Sequence, residues 1–111
     1  MPNETEFVVY ITDRDRIRVR FTLEHGVPDR IMVQLECEVA GRWREARRYD
    51  NYHGYMHLHV TPWDHGSDRP QRVEISDLRY AIAVLTSDLR ASWPAIRARL
   101  VADIGAVQDD T

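Results

Sequence analysis

Two runs in the first third of the chain alternate between apolar and polar positions. Ile17, Val19, Phe21 and Leu23 interleave with Arg16, Arg18, Arg20 and Thr22. Ile31, Val33, Leu35, Cys37 and Val39 interleave with Gln34, Glu36 and Glu38. Successive side chains of a β-strand point to opposite faces, so this period of two predicts two strands, each with one apolar face. A shorter β-rich run covers 7–11, closed by a tight turn at Thr12-Asp13-Arg14-Asp15. Gly26 and Pro28 mark 25–29 as a loop. Ala40-Gly41 reads as a hairpin turn into a strand over 43–49, where the alternation weakens. It returns at Tyr55, with Met56, Leu58 and Val60 on one side and Tyr55, His57 and His59 on the other. A polar loop over 62–70 precedes one more short strand at 71–75.

The period then changes. Leu78, Ile82, Leu85, Leu89, Trp93, Ile96, Leu100 and Ile104 recur at steps of three and four, the stripe of an amphipathic helix. Ser76 is the expected N-cap, with Asp77 in the first turn. Pro94 interrupts the stripe, which predicts either a kinked helix or two helices meeting near Ser92. Gly105 is the expected end, with 1–5 and 106–111 fraying.

Strands joined by short turns pair antiparallel, and a helix with one apolar stripe covers the apolar face of the sheet. The expectation is an α+β fold: a meander of five to six strands with the helix packed on one face, as a single domain over 1–111. The opposite face then carries Arg16, Arg18, Arg20, Gln34, Glu36, Glu38, Tyr55, His57 and His59.

Composition narrows the classes. The chain has 111 residues and a net charge of -3, so the whole molecule does not attract nucleic acid, and any such contact needs a local patch. All its basic residues are arginine, which a GC-rich coding sequence explains without reference to function. No apolar run approaches the roughly 20 residues of a membrane span. The polar, acidic start is unlike a secretory signal, and a cytoplasmic location is expected. Cys37 is the only cysteine, which excludes an internal disulfide and a cysteine zinc cage.

Four of the five histidines, His53, His57, His59 and His65, lie between 53 and 65, in the region densest in arginine and tyrosine. Imidazole changes charge near neutral pH and is the commonest metal ligand. In His57-Leu58-His59 the two rings share a strand face, so with Asp50, Asp64 or Glu74 they suit a metal or proton-transfer site. A solvated sheet face explains the same pair without chemistry. His53 lies in a turn before Gly54, where Asp50 would orient it as a general acid or base, or where Asp50 and Asn51 merely close the turn. Arg42, Arg44, Arg47 and Arg48, interleaved with Trp43, Tyr49, Tyr52 and Tyr55, suit an RNA surface on which aromatics stack bases and guanidinium groups hold phosphate. Ordinary core aromatics on a solvated strand are the plain alternative.

The stretch Arg48-Tyr49-Asp50-Asn51-Tyr52-His53-Gly54-Tyr55-Met56-His57-Leu58-His59 resembles TumE-like toxins of bacterial toxin–antitoxin systems and related small uncharacterised domains. The shared features are an arginine-tyrosine-aspartate start, a histidine-rich turn, preceding hairpins and a C-terminal helix. Here the histidines are spread as His53-x-x-x-His57-x-His59 rather than consecutive. The resemblance implies a growth-inhibiting toxin neutralised by an antitoxin protein and acting on RNA. Its important positions would be Tyr49, Asp50, His53 and His57. On this reading His53, His57 and Asp50 are the catalytic group, while Arg47, Arg48, Tyr49 and His59 bind substrate, with no metal or other cofactor. The alternatives are a non-catalytic protein-binding or homo-oligomerising module, and a metal-binding protein using His57, His59 and a carboxylate.

Overall fold

The computed structural model describes residues 3–52, 54–59 and 71–109. His53, Asp64, His65 and the loop expected at 62–70 lie outside the described residues. The strands are β1 (Glu4–Thr12), β2 (Asp15–Glu24), β3 (Val27–Val39), β4 (Arg42–Asp50), β5 (His57–His59) and β6 (Gln71–Arg72), followed by one helix, α1 (Ala81–Asp109). The six strands form a single sheet in chain order, and every neighbouring pair is antiparallel. This is the expected meander. Among the described residues, no helix is long and apolar enough to cross a membrane.

The alternating runs act as their period requires. Ile17, Val19, Ile31, Val33, Leu35 and Cys37 are sealed in the core. They face Ala81, Leu85, Leu89, Ile96, Leu100 and Ile104 of α1, which packs on β2, β3 and β4. Full burial of one such aliphatic side chain contributes roughly 1.5–3 kcal/mol. Two polar clamps fasten the helix to the sheet. Arg97 donates to Asp15 Oδ1 at 2.7 Å and to the Glu38 carbonyl at 2.9 Å. The Tyr49 hydroxyl donates to the Asp88 carboxylate.

Several boundaries differ from the sequence expectation. The loop expected at 25–29 is only the two-residue turn His25-Gly26, with φ of 52° and 78°. Positive φ at both turn positions matches the twist of a hairpin, so pairing resumes at once. Pro28 therefore lies inside β3, beside a register shift opposite Phe21 and Leu23, where a missing N–H is tolerated. The turn at Ala40-Gly41 is built the same way, with φ of 54° and 78°.

Ser76 does not cap the helix. Asp77 instead closes a turn by accepting from the Arg79 amide at 3.0 Å, and α1 begins at Ala81. α1 then runs unbroken past Pro94 and through Gly105 to Asp109. The apolar stripe continues on both sides of Pro94, so packing on the sheet holds the helix where the local backbone bond is missing.

The weak alternation over 43–49 has a specific cause. Leu35 pairs with Arg47, but Glu36 pairs with Glu45, so Ala46 is an extra residue on β4. This bulge changes the phase of the strand.

Candidate functional site

The polar face is largely a lattice of paired charge. Glu36 takes Arg16 at 2.7 Å and Arg18 at 3.0 Å, while Glu6 takes Arg18 at 3.0 Å and Arg20 at 3.3 Å. Arg16 also lies over the Trp43 ring, 3.8 Å from its centroid. Burial pushes the Glu36 carboxyl up, but hydrogen bonds from Arg18, Arg16 and Gln34 outweigh it and hold the group below its ordinary value. Most of the arginine stripe is thus consumed in cross-strand pairing.

A different arrangement lies at the far end of this face, where β4 meets β5. Beyond the bulge, Arg48 pairs with His59 and Asp50 with His57. Directly opposed residues share a face, so these four side chains converge. Asp50 Oδ1 lies 3.1 Å from His57 Nε2, and Asp50 Oδ2 lies 3.5 Å from His59 Nε2. Arg48 donates from Nε to Asp50 Oδ2 at 2.8 Å, and the Tyr52 amide donates to Oδ1 at 3.2 Å. The two imidazole centroids are 4.7 Å apart. One donor atom from each of Asp50, His57 and His59 lies within 4.8 Å of the other two.

The His57 side chain is 1% exposed and that of Asp50 4%, whereas His59 keeps 27%. His57 Nδ1 lies 3.0 Å from the Tyr55 carbonyl. A carbonyl only accepts, so Nδ1 carries the proton and Nε2 is turned toward Asp50. Nearby, Glu45 faces Arg48 at 3.9 Å. Burial pushes the Glu45 carboxyl up, against the attraction of Arg48 and His59.

Asn51 fixes this corner to the sheet. Its Oδ1 accepts from the Ile31 amide at 2.8 Å, and its Nδ2 donates to the Asp29 carbonyl at 2.8 Å. Tyr52 follows, with the Arg30 guanidinium 4.9 Å and the Arg48 guanidinium 5.4 Å from its ring centroid. Beyond Tyr52 is an open hollow of about 220 Å³, lined by Glu4, Arg20, Phe21, Thr22, Arg30 and Tyr52. On the other side Arg72 lies 5.3 Å from the Tyr55 ring centroid.

The structure therefore brings together Asp50, His57, His59 and Arg48 from the sequence-derived set. It does not bring Tyr49 and Arg47 to them. Tyr49 pairs with Val33 and Arg47 with Leu35, so both point to the helix side. Tyr49 is 5% exposed, and burial followed by the Asp88 carboxylate pushes its hydroxyl up to about 12. It is a clamp between layers, not a substrate contact. Cys37 is an inert core group, as expected: burial, then Asp15, pushes its thiol up to about 12. Sequence reasoning missed Arg30 and Glu45. Arg30 joins the corner through the β3 pairing and Glu45 through the bulge, and neither is visible as a local pattern.

A family model described as a domain of unknown function (DUF7718) matches residues 1–102. No curated protein and no solved structure matches the chain.

Proposed function

We propose that this chain, which belongs to the DUF7718 family, is a toxin-like protein that acts on single-stranded RNA in the cytoplasm through the β4–β5 corner. The observation that carries this reading is Tyr52. Its ring has the Arg30 and Arg48 guanidinium groups beside it, its side chain lines the hollow, and its amide donates to Asp50 of the cluster. Flat rings flanked by guanidinium groups suit an unstacked base with its phosphates, and the contact is tolerant of sequence. The hollow offers room for a base, with Arg20 and Arg30 at its rim. From there the chain would pass over Arg48 to the cluster.

Within the cluster the roles differ. His57 is sealed and cannot touch a substrate, so it positions Asp50 and His59 rather than acting on RNA. His59 and Arg48 are the members that reach solvent. Arg48 suits a phosphate, although part of its hydrogen-bonding capacity already holds Asp50.

The test is controlled expression of the wild type beside Arg48→Ala, Tyr52→Ala and His59→Ala. The expected result is growth arrest with degraded cellular RNA in the wild type and relief in all three variants. Normal growth and intact RNA in the wild type would end this reading.

A second reading has its own support. β1 is nine residues long and, among the described residues, pairs only with β2. Its outer edge can accept a strand from an antitoxin protein or from another copy of the chain. Light scattering on the purified protein is expected to separate these cases, with a dimer mass for self-pairing and a monomer mass for a chain awaiting another partner.

A further inference from the structure

We infer that Asp50, His57 and His59 bind one divalent transition-metal ion of the zinc type, leaving a coordination position open. The site is read by binding alone and stands whether or not RNA is the substrate.

The first argument is the count of lone pairs. His57 places its proton toward the Tyr55 carbonyl, so a neutral ring turns a bare Nε2 toward Asp50. His59 brings a second Nε2 to the same carboxylate. Two imidazole nitrogens and a carboxylate oxygen converging in a mostly buried place form a donor set that a metal ion can share, beside the Arg48 guanidinium that already holds Oδ2.

The second argument is spacing. Ligands about 2.0–2.1 Å from a tetrahedral zinc stand roughly 3.4 Å from one another. His57 Nε2 stands 3.1 Å from Asp50 Oδ1 and His59 Nε2 stands 3.5 Å from Oδ2, and with one ligand atom per residue all three lie within 4.8 Å of one another. Side-chain rotation that draws the three atoms inward by about 1 Å would bring them to that spacing.

The third argument is the support behind the ligands. A metal-bound histidine commonly donates its other N–H to a carbonyl, and a metal-bound carboxylate is itself hydrogen-bonded. His57 does the first through Tyr55, and Asp50 does the second through Arg48 and the Tyr52 amide. The ligands come from two paired strands, whose register fixes their separation. Two imidazoles and one carboxylate suit zinc, cobalt, nickel and ferrous iron better than calcium or magnesium. Three protein ligands leave the fourth position of a tetrahedral ion open, and His59 marks its solvent side.

The experiment uses the full chain without a histidine tag, stripped with a chelator. Zinc is titrated by calorimetry and cobalt by visible absorption. Saturation is expected at one ion per chain, with cobalt bands of a four-coordinate site. Nitrogen-15 shifts of the imidazoles should move at His57 and His59 on zinc addition and stay fixed at His25, which is exposed in the β2–β3 turn. This measurement needs no variant and holds even if His57 substitutions fail to fold. His59→Gln is expected to weaken zinc binding at least about tenfold, and His25→Gln to leave it unchanged. Absence of stoichiometric binding by the wild type overturns the inference. So does binding that persists undiminished in His59→Gln, or ring shifts confined to other histidines.

Discussion

Asp15 and Asp50 are equally buried, each with 3% of its surface exposed, but they keep different company. They lie on opposite faces and toward opposite ends of β3, since Asp15 pairs with Cys37 and Asp50 with Met32. Asp15 is held by the Thr12 hydroxyl at 2.6 Å and by Arg97 at 2.7 Å. Arginine keeps its charge at every accessible pH, so above the carboxylate range that pair has one state. Asp50 has one arginine and two imidazoles, and an imidazole can give up a proton or take a metal. The difference separates a buried carboxylate that fastens two layers from one whose surroundings can change. Burial alone does not distinguish them; the chemistry of the counter-group does.

The sharpest way to break the comparison is the same isosteric change at both sites. Asp15→Asn leaves the Arg97 charge unpaired against the sheet and should cost about 3 kcal/mol, because removing one partner of a buried pair strands the other. Asp50→Asn should cost only about 1 kcal/mol. The asparagine amide can still hydrogen-bond the two imidazoles, and Arg48, with 31% of its side chain exposed, can turn toward Glu45 or solvent. Urea unfolding of both variants measures the difference, and equal losses would erase the distinction.

Acid provides a smaller test. Burial pushes the Asp15 carboxyl up, but Thr12, Arg97 and Cys37 outweigh it and hold the group below its ordinary value. Such a group contributes stability that is complete above the unfolded carboxylate value, near pH 4, and is lost as pH falls through the lower folded value. The urea midpoint should therefore decline below about pH 4. Asp15→Asn and Glu36→Gln should each flatten that decline, since Glu36 is shifted in the same direction.

The smallest effect concerns the turn near Asp15. Ala40 holds a φ of 54°, which a side chain with a Cβ resists. Ala40→Asn should raise stability by about 0.5 kcal/mol, because asparagine tolerates this conformation better. Distant sites act independently, so calorimetry on this variant should find metal binding at Asp50 unchanged.

The sheet and helix were legible because Ile17 to Leu23 keep a period of two and the apolar steps of three and four from Leu78 to Ile104 continue on both sides of Pro94. The phase of β4 was not. Nothing local marks Ala46 as an extra residue, since the bulge is defined by which residues of β3 it fails to match. Tyr49 was misplaced for a different reason. The motif resemblance placed it in the site, while alternation from Arg48 and Asp50 already put it on the other face. The Asp15–Arg97 clamp joins residues 82 apart, beyond any short-range pattern. The histidine pair was readable from spacing alone, but its union with Asp50 depended on the register of β4 against β5.

That one supernumerary alanine works as a gear change within a single strand. Upstream of it the side chains keep the rhythm that lays Trp43 over Arg16, and downstream they keep the rhythm that turns Arg48 and Asp50 toward the histidines. Excising Ala46 would force one half to surrender its orientation. Either the tryptophan would leave its arginine, or the carboxylate would swing beneath the helix and Tyr49 would emerge into water. Length in this short segment is therefore constrained more tightly than residue identity, and homologous chains that use the same corner should conserve the count between Trp43 and Asp50.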